Sequence, residues 1–304
     1  MRKSTVVLGQ CHFTYRVVRN LIDRGYFPEY VCIARADADS DPFKGLKRQT
    51  LGVSDWLHVH RQYHDVWRTE VRQLCHSHGI SFLDVDFPVK DLPTGDTLIV
   101  SAYAQKLPAC ILEGYPRGAL NIHPSLLPDY RGPQPEAQVI LNGDIVSGVT
   151  LHVMTPEFDR GPIVAQHVYD VPNDADVAGM EEIEAAIAAE LIVKVGPMFL
   201  EQASAQPPGG RYYKAYPITA LDLGQVPDVL AAKRLMRLRP EGYAYFTEGQ
   251  CTLYPIEIGT ENRSHARRIG LASTAECYAY RWVEVVGGHM VEKILGKELA
   301  FRLR

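Results

Sequence analysis

An amide, an imidazole and a carboxylate are the residues of this chain best suited to chemistry on a carbonyl. Asn121 and His123 flank Ile122 at the end of an apolar run, Ala119 to Ile122, and Asp159 stands in a turn that closes at Gly161. When an amine attacks an acyl carbon, the carbonyl oxygen gains negative charge. An Asn side chain can donate a hydrogen bond to that oxygen, and so can a protonated His. A carboxylate can hold the imidazole charged and oriented, or order a water that carries protons. Two residues apart on a strand, Asn121 and His123 share one face. Asp159 has to be returned to them by the fold.

The elements that would do this are legible as α/β. Thr5 to Leu8 is a short β-branched run read as a buried first strand. A turn at Gly9-Gln10-Cys11-His12 follows, then a helix over Phe13 to Asp23 stopped near Gly25, then a strand over Tyr30 to Ala34. Strand, turn, helix, strand argues for a parallel sheet. Residues 36 to 55 read as a polar loop. A helix over Val66 to His78 is ended by Gly79, and strands follow at Ser81 to Val85 and Thr97 to Ser101. Pro108 to Glu113 reads as a short helix. His123 to Pro128 is a turn stiffened by two prolines, and Pro135 to Asn142 is a helix ended by Gly143. Val149 to Met154 and Pro162 to Val171 are strands joined by a tight turn. A long helix over Asp174 to Phe199 carries Met180, Ile183, Ile187, Leu191 and Val195 as its core stripe. In open parallel sheets ligands bind beyond the carboxyl ends of the strands. The segment after Ser101 and the segment after Ile122 both lie at such ends, which implies one shared cleft.

With 304 residues, the chain has room for two domains. Hydrophobic residues at 46% and charged residues at 22% suit a globular protein with a real core. A net charge of −4 gives no general attraction to nucleic acid. Residues 1 to 204 carry roughly −8 and residues 205 to 304 roughly +4, a modest asymmetry. Six scattered cysteines with no C-x-x-C pair suggest neither a zinc site nor a disulfide framework, and fit reduced thiols in a cytoplasmic protein. The apolar run after Met1 breaks at Gly9, too short for a secretory core, and no run approaches the ~18 apolar residues of a membrane span. His58, His60 and His64 invite a metal reading, but no carboxylate or thiolate partner lies at ligand spacing, so no metal is expected. A nicotinamide oxidoreductase is disfavoured because the first turn lacks G-x-G-x-x-G. Gln202 to Gly210, rich in Gln, Ala, Pro and Gly, reads as a linker. Beyond it come a helix with a basic face over Val226 to Leu238, a hairpin around Thr247 to Gln250, and strands at Ala279 to Val286 and Glu298 to Leu303.

The motifs N-I-H-P-S-L-L-P from Asn121, R-G at Arg131, G-V-T-L-H ending at His152 and D-R-G-P-I from Asp159 occur in order. Together they resemble the formyltransferases that use 10-formyltetrahydrofolate, a family that includes glycinamide ribonucleotide transformylase, methionyl-tRNA formyltransferase and sugar N-formyltransferases. The resemblance covers residues 1 to 200 as a domain and is sharpest over 97 to 166. It implies a Rossmann-like, mostly parallel sheet flanked by helices over residues 1–201, a linker over 202–216, and a small β-rich, barrel-like C-terminal domain over 217–304. It implies an N-formyltransferase with 10-formyltetrahydrofolate as co-substrate and Asn121, His123 and Asp159 as catalytic residues. It also implies a folate pocket lined by Ala102, Tyr103, Ala104, Gln105 and Leu107, with Ala104 standing where the family has Gly, and by the pterin-facing loop Thr155, Pro156, Glu157 and Phe158. On the acceptor side it implies contacts from Gly9, Gln10, Cys11, His12 and Arg131. The loop R-G-P-Q-P-E departs from the R-G-A-A-P of methionyl-tRNA formyltransferases, and the C-terminal part is only mildly basic. Both points favour a small amine, an amino sugar nucleotide or an ornithine-like amine, over methionyl-tRNA. A folate hydrolase and a non-catalytic folate- or RNA-binding module are the remaining readings. The hydrolases of the family carry an N-terminal regulatory domain, for which a first strand at Thr5 leaves no room.

Overall fold

The β-branched runs of the N-terminal half become the middle of a seven-stranded sheet. The computed structural model describes residues 4–34, 67–86, 88–103, 105–214, 234–235 and 237–238. Further on it describes seven short strands between 246 and 302. The loop expected at 36–55, the three histidines at 58, 60 and 64, Ala104 and most of the expected helix at 226–238 lie outside the described residues.

The first strands are β1 (Thr5–Gly9), β2 (Tyr30–Ala34), β3 (Ser81–Val85), β4 (Thr97–Ser101) and β5 (Ala119–His123). Two more, β6 (Val146–Val153) and β7 (Ile163–Asp170), complete the sheet in the order β3-β2-β1-β4-β5-β6-β7. β1 to β5 run parallel; β6 and β7 are antiparallel additions at one edge. Around the sheet lie α1 (His12–Asp23), a helix α2 described over 67–77, α3 (Ala109–Glu113), α4 (Pro135–Asn142), α5 (Val177–Val195) and α6 (Phe199–Gln202).

The central strands β1, β2 and β4 are buried on both faces, which is why they read as unbroken apolar runs. Val7, Ile33, Ile99, Leu120, Ile122, Val149 and Leu151 pack on the side of α1 and α5. Val6, Leu8, Cys32, Leu98, Val100 and Ala119 pack on the other side with Leu107, Ile111 and Tyr115. Alternation along β5 therefore sends Asn121 and His123 to the side of α3 and the loop after β4. The chain leaves β1 for one side of the sheet and returns from β3 to β4 beside β1, so the strand order reverses between β1 and β4. That reversal is where doubly wound sheets open a cleft.

Two expected elements of the sheet domain, β6 and α5, differ. β6 begins three residues earlier than expected, because its pairing with β7 carries on to Val146↔Asp170 past the apolar stretch. The helix expected over Asp174 to Phe199 starts at Val177, capped by the Asp176 carboxylate accepting from Gly179 N at 2.8 Å. It ends at Val195 because Gly196 takes φ 62° and Pro197 has no N–H for a helical bond. Its buried face is also wider than the stripe read from sequence. Ile183 and Ile187 are only half-buried, whereas Glu181, Glu184, Ala185, Ala188 and Ile192 are buried. The two carboxylates are tolerated there because Glu181 pairs with Arg16 of α1 and Glu184 accepts from Tyr169 Oη at 2.6 Å.

In the C-terminal part the expected hairpin is present. β8 (Phe246–Glu248) and β9 (Cys251–Pro255) pair antiparallel with Glu248 opposite Cys251. The run expected as one strand over Ala279 to Val286 is two: β11 (Tyr278–Tyr280) pairs with β9, and β12 (Val283–Val286) joins a sheet with β10 (Ile258–Gly259), β13 (His289–Ile294) and β14 (Lys297–Arg302). A β-rich C-terminal region is thus observed.

Candidate active site

The carboxyl ends of β1, β4 and β5 lie side by side, with Gly9 opposite Ser101 and Ser101 opposite Ile122. Asn121 and His123 project from the last of these. Across the antiparallel pair, Asn121 faces His152 of β6 and His123 faces Thr150. Directly opposed residues share a face, so β6 delivers a second imidazole to the site.

His152 is the site residue that sequence reasoning missed. Its ring is 2% exposed. Nδ1–H donates to the Val153 carbonyl at 3.0 Å, which leaves Nε2 as an acceptor for Asn121 Nδ2 at 3.0 Å. Burial, reinforced by the nearby His123, pushes its pKa down to about 4. Asp159 Oδ1 lies 3.8 Å from His152 Nε2, yet a ring held neutral makes no ion pair there. A neutral acceptor at this spot fixes which way the Asn121 amide points. One N–H is bound to the ring, and the other is available to an oxygen in the cleft.

His123 is 4% exposed. Its Nε2 donates to the Tyr130 carbonyl at 2.9 Å, and Nδ1 is 3.6 Å from Asp159 Oδ1. Both nitrogens face oxygen acceptors, an arrangement that a doubly protonated ring satisfies. The turn that supplies Tyr130 is pinned to β6. Thr150 Oγ1 donates to Ser125 O at 2.6 Å and accepts from Leu127 N at 3.1 Å and from Gln166 Nε2 at 2.8 Å.

Asp159 is brought back by the β6–β7 connection. It adopts φ 53°, and its Oδ2 accepts from Gly132 N at 2.8 Å. The turn can close only because residue 161 is glycine: a Cβ there would sit 1.6 Å from the Val153 carbonyl oxygen. The structure thus unites Asn121, His123 and Asp159 as the sequence predicts, and adds His152.

The two segments expected to meet a folate approach one another. Tyr103 packs against the α3-side core and its Oη accepts from Val89 N at 3.0 Å, while Leu107 is buried in that core. Lys106 Nζ lies 5.6 Å from the centre of the Phe158 ring, which joins the loop after β4 to the loop Thr155–Phe158. Ala102 has φ 55°, so the positive backbone angle of this loop falls there among the described residues. Gln105, Pro156, Glu157 and Phe158 are exposed, and Thr155 Oγ1 donates to Glu157 O at 3.0 Å. The backbone groups of both loops lie outside the strand ladder.

On the expected acceptor side the outcome is mixed. Gln10, Cys11 and His12 are partly exposed at the end of β1. His12 stacks on Tyr15 at 5.3 Å, and burial together with Arg16 lowers its pKa to about 4, so it would meet a ligand as a neutral ring. Gly9 is buried, and a Cβ on it would come 1.9 Å from Thr14 Oγ1; its place is set by packing of α1 against β4. Arg131 is 4% exposed, with its guanidinium bonded to Gln206 Oε1, Gly209 O and Asp159 O. Its guanidinium is turned into the protein. Among the described residues no cluster of His, Cys, Asp or Glu could hold a metal, and no helix is long and apolar enough to cross a membrane.

The α/β domain thus gathers Asn121, His123, His152 and Asp159 at the carboxyl end of β5. Residues 91–195, which carry Asn121, His123, His152 and Asp159, match the family described as formyl transferase. The methionyl-tRNA formyltransferase of Chloroflexus aurantiacus is 46% identical over 101 residues, 33% of each chain, so the match spans about a third of that relative's length. A 4-N formyltransferase from Francisella tularensis is 20% identical with a TM-score of 0.54, covering 81% of this chain and 93% of its own. WlaRD, a sugar 3N-formyl transferase solved with dTDP and 5-N-formyl-THF, is 13% identical with a TM-score of 0.53, covering 99% and 98%. At such identities the last two show a shared fold.

Proposed function

We propose that the protein is an N-formyltransferase that moves the formyl group of 10-formyltetrahydrofolate to the amine nitrogen of a small molecule. The observation that carries this is the convergence of Asn121, His123 and Asp159, within the segment that matches the formyl transferase family, at the end of β5. The co-substrate supplies an activated formyl carbonyl, held by the loops 102–107 and 155–158. The second N–H of Asn121 donates to the carbonyl oxygen as it gains charge, and the His123 ring beside it, paired with Asp159, stabilises that charge electrostatically. The Asp159 carboxylate keeps the His123 ring oriented and, directly or through a water, takes the proton lost by the attacking amine and passes it to the folate nitrogen as the formyl carbon–nitrogen bond breaks and tetrahydrofolate leaves. His152 holds the Asn121 amide in its donating orientation.

The acceptor is read as an amino sugar nucleotide or an ornithine-like amine. The mildly basic C-terminal part and the R-G-P-Q-P-E loop support this, and one neighbour in fold, WlaRD, is a sugar 3N-formyl transferase. Methionyl-tRNA is the second reading, favoured by the name of the sequence relative. Tetrahydrofolate release, followed by absorbance across a panel of amines and charged tRNA, tests both. Release with a small amine that is nearly indifferent to salt supports the first. Release only with tRNA, falling steeply between low and high salt, replaces it with the second. Tight folate binding without turnover of any acceptor would point to a non-catalytic module. His123→Ala should lower the rate by roughly 10²- to 10⁴-fold with the fold retained, and a fully active variant would sink the assignment.

A further inference from the structure

The segment that leaves the sheet domain reaches back into the site. Ser204 exchanges backbone hydrogen bonds with Ile163 at 2.7 and 2.8 Å, and Arg131 exchanges them with Arg211 and Tyr213 at 3.0 and 2.7 Å. The chain between these anchors passes beneath the Asp159 turn and offers it one side chain, Gln206. Gln206 Nε2 donates to Asp159 O at 2.8 Å and to Gly161 O at 2.9 Å. Gln206 Oε1 accepts from Arg131 Nη2 at 2.6 Å and Nε at 3.2 Å. Arg131 in turn donates to Asp159 O from Nε at 3.2 Å and to Gly209 O from Nη1 at 2.9 Å.

This amide uses both of its N–H donors and accepts twice, which is all that a glutamine can do. Its orientation is therefore fixed: reversing the amide would set an oxygen against two carbonyls. The carbonyl it serves belongs to Asp159, a non-glycine residue in the left-handed region, where the backbone needs support from its surroundings to persist. The same residue holds its carboxylate between Gly132 N and His123. Nothing in the composition of a Gln-, Ala-, Pro- and Gly-rich stretch announces such a role.

We propose that Gln206, acting with Arg131, is a positioning residue that holds Asp159 in the conformation from which its carboxylate serves His123. Residues 204–213 are then part of the catalytic apparatus and not a passive linker. The inference rests on the formyl-transfer reading for its kinetic consequence, and on geometry alone for the placement of Asp159.

The test uses full-length protein with Gln206→Met, which removes all four hydrogen bonds at similar volume. Gln206→Glu keeps the acceptor for Arg131 and loses the two donors, and it serves if the Met variant does not fold. The expected result is a kcat lower by roughly 10- to 100-fold, the cost of slight misplacement of a catalytic group. KM for the formyl donor should stay within about twofold, since the 102–107 loop is untouched. In an Asp159→Asn background the same change at Gln206 should have little further effect, because the residue acts through that carboxylate. The Gly132 amide, which donates to Asp159 Oδ2, should exchange with solvent about tenfold faster in the variant. Unchanged kcat with unchanged Gly132 exchange, or fully additive losses in the double variant, would overturn the proposal and leave the formyl-transfer reading standing. If wild-type protein transfers no formyl group, that reading fails instead, and Gly132 exchange decides the positioning claim: faster in the variant supports it, and equal exchange refutes it.

Discussion

Replacing His152 with leucine is the sharpest probe of how the site is ordered. The change removes the ring that accepts from Asn121 Nδ2 at 3.0 Å and leaves an apolar side chain in a buried position. A net hydrogen bond of about 0.5–1.5 kcal/mol has held the amide in one orientation. Losing it lets that fraction of amides rotate away, which at ~1.4 kcal/mol per tenfold corresponds to a kcat lower by roughly 2- to 12-fold. The ceiling is roughly 10²- to 10³-fold, the loss expected if the donor ceased to function altogether. The formyl donor should bind with unchanged KM, because His152 faces Asn121 and not the loops at 102–107 or 155–158. The assay is steady-state tetrahydrofolate release with both substrates varied, alongside thermal unfolding to confirm the fold. Wild-type kcat in a folded variant would show that Asn121 needs no external orientation. A loss beyond 10³-fold would show that His152 touches the reacting atoms itself.

Three further outcomes follow from the same geometry. Between pH 6.5 and 4 an unfolded His152 takes up a proton while the folded one, held down to about 4, does not. The unfolded state then binds more protons, so stability is fully present above pH 6.5 and declines as pH falls through this window, by up to about 3 kcal/mol; urea unfolding at pH 7 and 4.5 should show the decline in wild type and a smaller one in His152→Leu. Gly161→Ala places a Cβ 1.6 Å from the Val153 carbonyl oxygen, whose peptide is held by the Met154 N to Ala119 O hydrogen bond and which accepts from His152 Nδ1. It should cost about 3 kcal/mol or more and abolish turnover, measured by denaturant midpoint and by rate; a stable, active variant would refute the tight closure of the Asp159 turn. Asp159→Asn retains an oxygen for Gly132 N but removes the charge beside His123, and should lower kcat by roughly 10²-fold or more while Gly132 exchange stays slow.

Much of the sheet domain was legible because its central strands are buried on both sides. Runs such as Thr97 to Ser101 admit few other readings, and Asn121 and His123 stand two apart on one of them. Less was legible where one segment's role depends on another's register. His152 looked like an ordinary strand residue, and only its position opposite Asn121 makes it part of the site. The stripe read on α5 assumed one packing surface, but that helix contacts α1 and the β6–β7 edge together, so paired carboxylates replace isoleucines at the centre of its buried face. Arg131 was expected on the acceptor side because the loop that carries it approaches the acceptor in the family it resembles. Its burial follows from a carbonyl-rich surrounding, which is formed by distant backbone. Gln206 left no local trace at all.

The way residues 204–213 are stitched to the sheet domain bears on how such chains can be recombined. The compositional break near Gln202 looks like the natural seam for exchanging one C-terminal module for another. A splice at that seam would import a foreign partner for Arg131 and for the Asp159 carbonyl, and the recipient would inherit a damaged active site whatever module followed. A splice placed after Lys214 would carry the native strap along with its own sheet. New C-terminal modules are therefore tolerated only downstream of the strap, and hybrids joined on either side of it should divide cleanly into working and idle proteins.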